Sequence, residues 1–184
     1  MDIISELNGK RILIWGYGRE GKATEHFLQR CVKPASVDIF EGKKEEIDED
    51  DYDFIIKSPG IVMNEENPKY TSETELFLQQ FRDQVIGITG TKGKSTTSAM
   101  LYTVLKACSG RPVLLLGNIG QPCLDYFEEV TEDTIIVYEM SCHQLAHTNV
   151  SPHIAIFLNL YEEHLDYYGT VEKYFEAKSH IAAY

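Results

Sequence analysis

Short apolar runs alternate with stretches of helical period along most of the chain. "RILIWG" (11–16), "SVDIF" (36–40) and "DFIIKS" (53–58) read as three strands. A helical pattern runs from Arg19 to about Cys31, and a second helix is predicted around "SETELFLQQF" (72–81). A second series opens with the strand "QVIGIT" (84–89) and a helix from roughly Lys94 to Cys108, stopped by "SGRP". "VLLLG" (113–117), "TIIVYEM" (134–140) and "HIAIFLNL" (153–160) follow as strands. These runs are nearly all apolar, as in parallel strands covered on both faces. Strands alternating with helices predict an α/β layered sheet. A boundary near Arg82–Val85 gives two α/β units, residues 1–83 and 84–184, without internal repeats.

Charge narrows the partners. Lys and Arg number 17 against 29 Asp and Glu, a net charge of -12. That balance argues against nonspecific nucleic-acid or anionic-membrane binding, both of which favour a basic surface. Any phosphate must therefore be held by local geometry. The acidic run "EGKKEEIDEDDYD" (41–53) reads as a solvated loop and short helix in preference to a cation site. The cysteines Cys31, Cys108, Cys123 and Cys142 show no CxxC spacing. The opening residues show no signal-peptide pattern, and no apolar run is long enough for a membrane span. The expectation is a reduced, cytosolic protein.

Two glycine turns carry the candidate chemistry. Gly16, Gly18 and Gly21 satisfy G-x-G-x-x-G between a strand and a helix, where the backbone can approach a phosphate. Glu41, just past the second strand, stands where a ribose or base contact would be made. NAD is one ligand for this fingerprint; tight strand–helix packing without a ligand is the other reading. Ser58, Pro59 and Gly60 end the third strand and could line the same cleft.

The second turn, "GTKGKSTT" (90–97), is a shortened phosphate loop. Gly90, Thr91, Lys92 and Gly93 form the turn, Lys94 brings a cation, and Ser95 and Thr96 open the helix. The full P-loop pattern wants glycine where Ile88 stands, which argues against an ordinary kinase or GTPase. Glu139 ends an apolar strand, where a carboxylate can hold Mg²⁺ or simply face solvent. Asn118 lies in the glycine loop "LGNIG", and "NLYEEHLD" offers His164 and Asp166. Lys178 falls on the apolar stripe of Val171, Tyr174, Phe175 and Ile181, where it either extends its ammonium outward or serves chemistry in a partly buried site. Cys142 and His143, taken as extended, would point to opposite sides and make no dyad.

"GTKGKSTT", "GNIG", "YEMSCHQL", "NLYEEHLD" and "YFEAKSHI", in this order, resemble the Mur ligases over essentially the whole chain. The resemblance implies a Rossmann-like domain at 1–83 for a UDP-substrate, then the start of a P-loop-type ATP domain at 84–184, with a C-terminal amino-acid domain absent. With the first glycine turn and "SPGI", it points to the branch that joins D-glutamate to UDP-N-acetylmuramoyl-L-alanine. That reaction uses ATP and Mg²⁺, passes through an acyl phosphate, and serves cytoplasmic peptidoglycan precursor synthesis.

By the same resemblance, residues 90–96 bind ATP, with Lys94 on the γ-phosphate. Ser95 and Glu139 hold a first Mg²⁺, while His164 and a carbamylated Lys178 lie at a second. Gly16, Tyr17, Gly18, Arg19, Glu41, Ser58, Pro59, Gly60, Asn118, Ser141 and His164 face the UDP-substrate. Lys94, His164 and Lys178 are the catalytic set. Cys142 stands where the family often has serine, and His143 where an aromatic is usual. A chain of this extent is expected to be inactive alone and to self-associate through an uncovered sheet edge. The alternatives are a non-catalytic UDP-sugar-binding module and an NAD-dependent oxidoreductase.

Overall fold

A computed structural model of the protein describes residues 2–63 and 67–184. A short helix α1 (Ile3–Leu7), capped by Asp2, precedes β1 (Arg11–Trp15). Helix α2 (Arg19–Cys31) carries the chain over to β2 (Ser36–Phe40). β3 (Phe54–Lys57), β4 (Tyr70–Thr71) and α3 (Glu73–Phe81) complete the first unit. Its four strands are all parallel, in the order β2-β1-β3-β4. The acidic run at 41–53 folds into two single 3₁₀ turns, Lys44–Glu46 and Glu49–Asp51, with no buried residue in either.

The second series runs through β5 (Val85–Thr89), α4 (Lys94–Cys108), β6 (Val113–Gly117) and β7 (Ile135–Glu139). It continues with α5 (Cys142–Leu145), β8 (Ile154–Phe157), α6 (Leu165–Tyr168) and α7 (Val171–Ser179). This sheet is also parallel, ordered β6-β7-β5-β8. The apolar runs thus become parallel strands as expected, yet burial on both faces holds only for the central ones. β7 is largely buried, whereas β8 lies at the sheet edge with Ile154 and Phe157 exposed. Along α4 only Ser98 is buried, and Met100 and Val104 stand in solvent.

The two sheets share one apolar core. Residues of β1, α2 and α3 join Leu116, Ile136 and Tyr138 of the second sheet in a single buried cluster. Aromatic rings carry the junction. Phe127, from the 3₁₀ segment Cys123–Glu129, lies 4.7 Å from Phe27 and 4.9 Å from Phe81, and Phe77 meets Tyr138 edge-on at 5.9 Å. The Tyr138 hydroxyl is satisfied by Thr74 at 3.0 Å, and the Glu73 carboxylate accepts from the Leu124 N–H at 2.9 Å. These two buried groups of the junction are therefore paired, as most buried polar groups are.

Because Phe77 is fully buried at that seam, Phe77→Ala should lower the unfolding free energy by about 3–5 kcal/mol. Both sheets should melt in one cooperative step, read by circular dichroism and tyrosine fluorescence in urea. Two separated transitions in the parent chain would show that the seam does not couple them.

Candidate active site

The first glycine turn is built by the end of β1. Gly16 sits at φ 92°, and its N–H donates to the Phe40 carbonyl at 2.8 Å. The Ser58 hydroxyl donates to the Gly16 carbonyl at 3.0 Å, and a Cβ on Gly16 would stand 2.6 Å from that hydroxyl oxygen. Ser58 thus fixes the turn, with Pro59 and Gly60 beside it. The middle glycine differs: no protein atom lies within 4 Å of where a Cβ on Gly18 would be. The fold itself does not require a glycine there, and the open face leaves room for a ligand's close approach. Tyr17 is hydrogen-bonded to Glu25, and Glu41 lies exposed just past β2.

The second turn is clamped from two sides. The Thr91 N–H donates to the Asn159 carbonyl at 3.0 Å, and the Lys92 N–H to Asn159 Oδ1 at 2.9 Å. The Thr91 hydroxyl meets the Tyr174 hydroxyl at 3.0 Å. Gly93, at φ 86°, lets the chain enter α4, with Ser95 and Thr96 exposed in the first turn of that helix. The Lys94 ammonium folds back onto the carbonyls of Gly90, at 2.7 Å, and Thr91, at 3.0 Å.

Lys178 reaches the same Gly90 carbonyl, at 3.0 Å, from α7. It is 1% exposed, so the apolar stripe buries it and does not let it reach out to water. Burial pulls its pKa down to about 8; the nearby Cys142 thiol opposes the shift and the Lys94 charge adds to it. The stripe itself is Tyr174, Ala177, Lys178 and Ile181; Phe175, expected on it, is exposed beside Phe157.

Glu139 ends β7 opposite Ile88 of β5, one residue before Thr89 and the loop. It is completely buried. Asn118 Nδ2 donates to Oε1 at 2.9 Å, while Oε2 has no hydrogen-bond partner. A buried carboxylate oxygen without a donor is costly unless a cation meets it.

Ser141 closes a capping box with Gln144, so its hydroxyl starts α5. Cys142 and His143 therefore occupy a helical turn and not the extended segment that the sequence suggested, and their side chains need not diverge. The His143 ring packs on Tyr167 at 4.3 Å and on His164 at 5.2 Å. His164 is the one non-glycine residue at positive φ among the described residues, at 57°.

Three links join the rims of the two units: Arg19 to the Gly120 carbonyl at 2.9 Å, Gln144 to Glu20 at 2.8 Å, and the Tyr167 hydroxyl to the Pro59 carbonyl at 3.4 Å. A cavity of about 100 Å³, lined by Arg19, Glu20, Glu73, Asn118, Tyr138 and Gln144, lies between them. Both glycine turns, Asn118, Ser141, Glu139, Lys94 and Lys178 lie at carboxyl ends of parallel strands or in the helices against them. That is the side on which open parallel sheets bind ligands.

Residues 88–184 match the family described as the Mur ligase middle domain. The chain belongs to the Mur ligase family. It is 37% identical over 165 residues to the UDP-N-acetylmuramoylalanine–D-glutamate ligase of Clostridium kluyveri, covering 85% of this chain and 36% of that protein. The ligase of the same name from Streptococcus pyogenes is 33% identical over 214 residues, covering 100% of this chain and 47% of that one. A solved structure titled as MurF ligase from Thermotoga maritima in complex with ADP is 21% identical, with a TM-score of 0.45, over 96% of this chain and 41% of that chain. The chain spans less than half the length of these relatives.

Some buried polar groups of this Mur ligase chain escape sequence reasoning. Lys57, at the end of "FIIK", is 4% exposed, donates to the Ile61 carbonyl at 3.2 Å, and has its pKa lowered to about 8 by burial. Glu20 lies inside the first glycine fingerprint, just before Gly21, and burial raises its pKa to about 7 against the Gln144 hydrogen bond and the Lys57 charge. A charged residue within one helical turn of a fingerprint glycine is the signal that could have flagged Glu20.

The sign for Glu20 follows from linkage. Its folded pKa lies above the ordinary value of 4.5, so protonation favours the folded state. That contribution is complete below about pH 4.5 and is lost as pH rises through about 7. Urea unfolding across this window should show a decline on the order of 2–3 kcal/mol from this group. In Glu20→Gln the decline should flatten; an unchanged slope would refute the assignment.

Proposed function

We propose that this chain supplies the UDP-substrate and ATP sites of a ligase that joins D-glutamate to UDP-N-acetylmuramoyl-L-alanine, a step of cytoplasmic peptidoglycan precursor synthesis. Residues 1–83 take the UDP-substrate and residues 84–184 take ATP. One observation carries the reading: two ammonium groups converge on the Gly90 carbonyl, and the strand paired with the one entering this loop ends in Glu139, whose buried Oε2 has no partner. Such a site lacks an anion and a cation together, which is what a magnesium–nucleotide provides. The names of the relatives at 33–37% identity support the choice of substrate.

ATP with Mg²⁺ supplies the phosphoryl group that activates the substrate carboxylate. The chain's own residues position and neutralise charge, as phosphoryl transfer demands. Lys94 would exchange its two loop carbonyls for the γ-phosphate, and the N–H groups of Lys94, Ser95 and Thr96 at the start of α4 would face the phosphates, those of Thr91 and Lys92 being held by Asn159. Asn118 holds Glu139 by Oε1 and leaves Oε2 free, so that Glu139 and the Ser95 hydroxyl would be the residues to hold a first Mg²⁺. The amine of Lys178, with its pKa near 8, is partly neutral at physiological pH. Adding to CO₂, it would form an N–C bond and release one proton, and the carbamate with His164 would be the residues to hold a second Mg²⁺. Gly16 to Arg19, Glu41, Ser58 to Gly60 and Ser141 face the UDP-substrate. The uncovered β8 edge, with Ile154 and Phe157 exposed, is where the chain self-associates.

Calorimetry with UDP-N-acetylmuramoyl-L-alanine, with ATP and Mg²⁺, and with NAD tests the assignment. The first two should bind and NAD should not; NAD binding without a response to the UDP-sugar would overturn it. Lys94→Ala should weaken ATP binding roughly 10- to 100-fold, the loss of a charge-assisted hydrogen bond. Glu139→Gln should abolish the dependence of ATP binding on Mg²⁺.

A carbamate on Lys178 has its own readout. In ¹³C-labelled bicarbonate the chain should show one carbamate carbon resonance by NMR, and Lys178→Met should lose it. A spectrum of the parent chain without that resonance would refute the modification.

A further inference from the structure

The cluster around α5 and α6 contains a donor set of which the proposed magnesium site would use only His164. Cys142, His143 and His164 each offer one ligand atom, and the three lie within 4.8 Å of one another. Among the described residues no other three His, Cys, Asp or Glu side chains converge in this way. The set comes from two places: the first turn of α5, fixed by the Ser141–Gln144 capping box, and the left-handed residue before α6. We propose that Cys142, His143 and His164 form a three-ligand site for a thiophilic divalent cation of the Zn²⁺ class, with the fourth position open.

The donor chemistry selects the ion. A thiolate and two imidazoles suit Zn²⁺ or Co²⁺, whereas Mg²⁺ takes oxygen ligands in octahedral geometry. Tetrahedral zinc, with bonds of about 2.3 Å to sulfur and 2.0–2.1 Å to nitrogen, sets its donors roughly 3.3–3.6 Å apart. From the observed spacing, closure therefore needs about 1 Å of side-chain movement. His164, with its side chain 44% exposed, can supply much of that movement, while Cys142 is 3% exposed and fixed.

The Tyr168 hydroxyl lies 3.4 Å from His143 Nδ1, the sort of outer contact that orients a ligating ring. Binding releases the Cys142 thiol proton to solvent as the metal–sulfur bond forms. Glu163 and Asp166 bring negative charge to this side, and the ammonium groups of Lys178 and Lys57 oppose it. Three protein ligands and one open position are the arrangement of an exchangeable site, not a closed structural one. The proposal does not depend on the ligase reading, although occupancy would remove His164 from a Mg²⁺ site.

Cobalt reports on it directly. The metal-free chain, kept reduced without thiols, is titrated with Co²⁺. One equivalent should give visible bands of four-coordinate cobalt and a near-ultraviolet thiolate-to-cobalt charge-transfer band. Equimolar Zn²⁺ should bleach both, and Mg²⁺ in large excess should not. The charge-transfer band should vanish in Cys142→Ser and persist in Cys108→Ser, which alters an exposed thiol.

His164→Asn serves as the second variant, because asparagine tolerates the left-handed backbone and the residue lies outside the core. It should keep the parent melting temperature and weaken Co²⁺ at least ~10-fold. Absence of the charge-transfer band in the parent chain, its survival in Cys142→Ser, or unchanged affinity in His164→Asn would each overturn the site. These readouts use only protein and metal, so their failure is separable from failure of the ligase assignment.

Discussion

The arrangement of the second unit turns on one acceptor, the carbonyl of Gly90. Two lysine ammonium groups, from the first residue of α4 and from α7, donate to it at 2.7 and 3.0 Å. A single carbonyl dipole cannot offset two like charges held that close together, and burial of Lys178 removes the water that would screen them. The chain as a whole carries a net charge of -12, so this is a local positive focus in an acidic protein. Release comes from an anion that replaces the carbonyl, or from loss of charge on one lysine. Either relief would act on the same pair of ammonium groups, so one of them lessens the need for the other.

The opposite imbalance lies one strand away. Glu139 is buried with one oxygen held by Asn118 and the other without a donor. Filling that position with a protein donor would have been simple, since Asn118 already donates from the adjacent loop. The position is left to a cation, which would meet the free oxygen on the strand next to the one that enters the phosphate loop. Residues 88–184, the span matched by the family model, begin in the strand between these two features.

The strands and longer helices were legible because apolar runs and a 3.6-residue period are properties of local sequence. The helix from Lys94 to Cys108 is an instance in which both predicted ends match. Burial was less legible. β8 reads like the central strands, yet it lies at the edge, because position within a sheet is decided by topology and not by composition. Lys178 could be recognised as anomalous from its place on an apolar stripe, although the stripe's true members needed Ala177 in place of Phe175. Cys142 and His143 could not be read, because α5 is only four residues long and rests on the Ser141–Gln144 box, without a hydrophobic period. The burial of Lys57 and Glu20 was less legible: Lys57 ends a strand whose cover comes from other elements, and Glu20 meets Gln144 of α5, 124 residues away.

The two glycine turns owe their relation to two kinds of contact with different strengths. At the base, Phe27, Phe77, Phe81, Phe127 and Tyr138 interlock across the seam, and such buried aromatic packing does not slide without loss of core contacts. At the rim, the units meet through single hydrogen bonds from Arg19, Gln144 and Tyr167. Each of these contributes on the order of 1 kcal/mol, an amount that ligand contacts can match or exceed. The cleft is therefore stiff where its depth is set and compliant where a ligand enters. Contacts made at the rim can change without disturbing the core, and the Tyr167–His143 packing lies on that rim. The sequence places its least explained glycine, Gly18, on that compliant side.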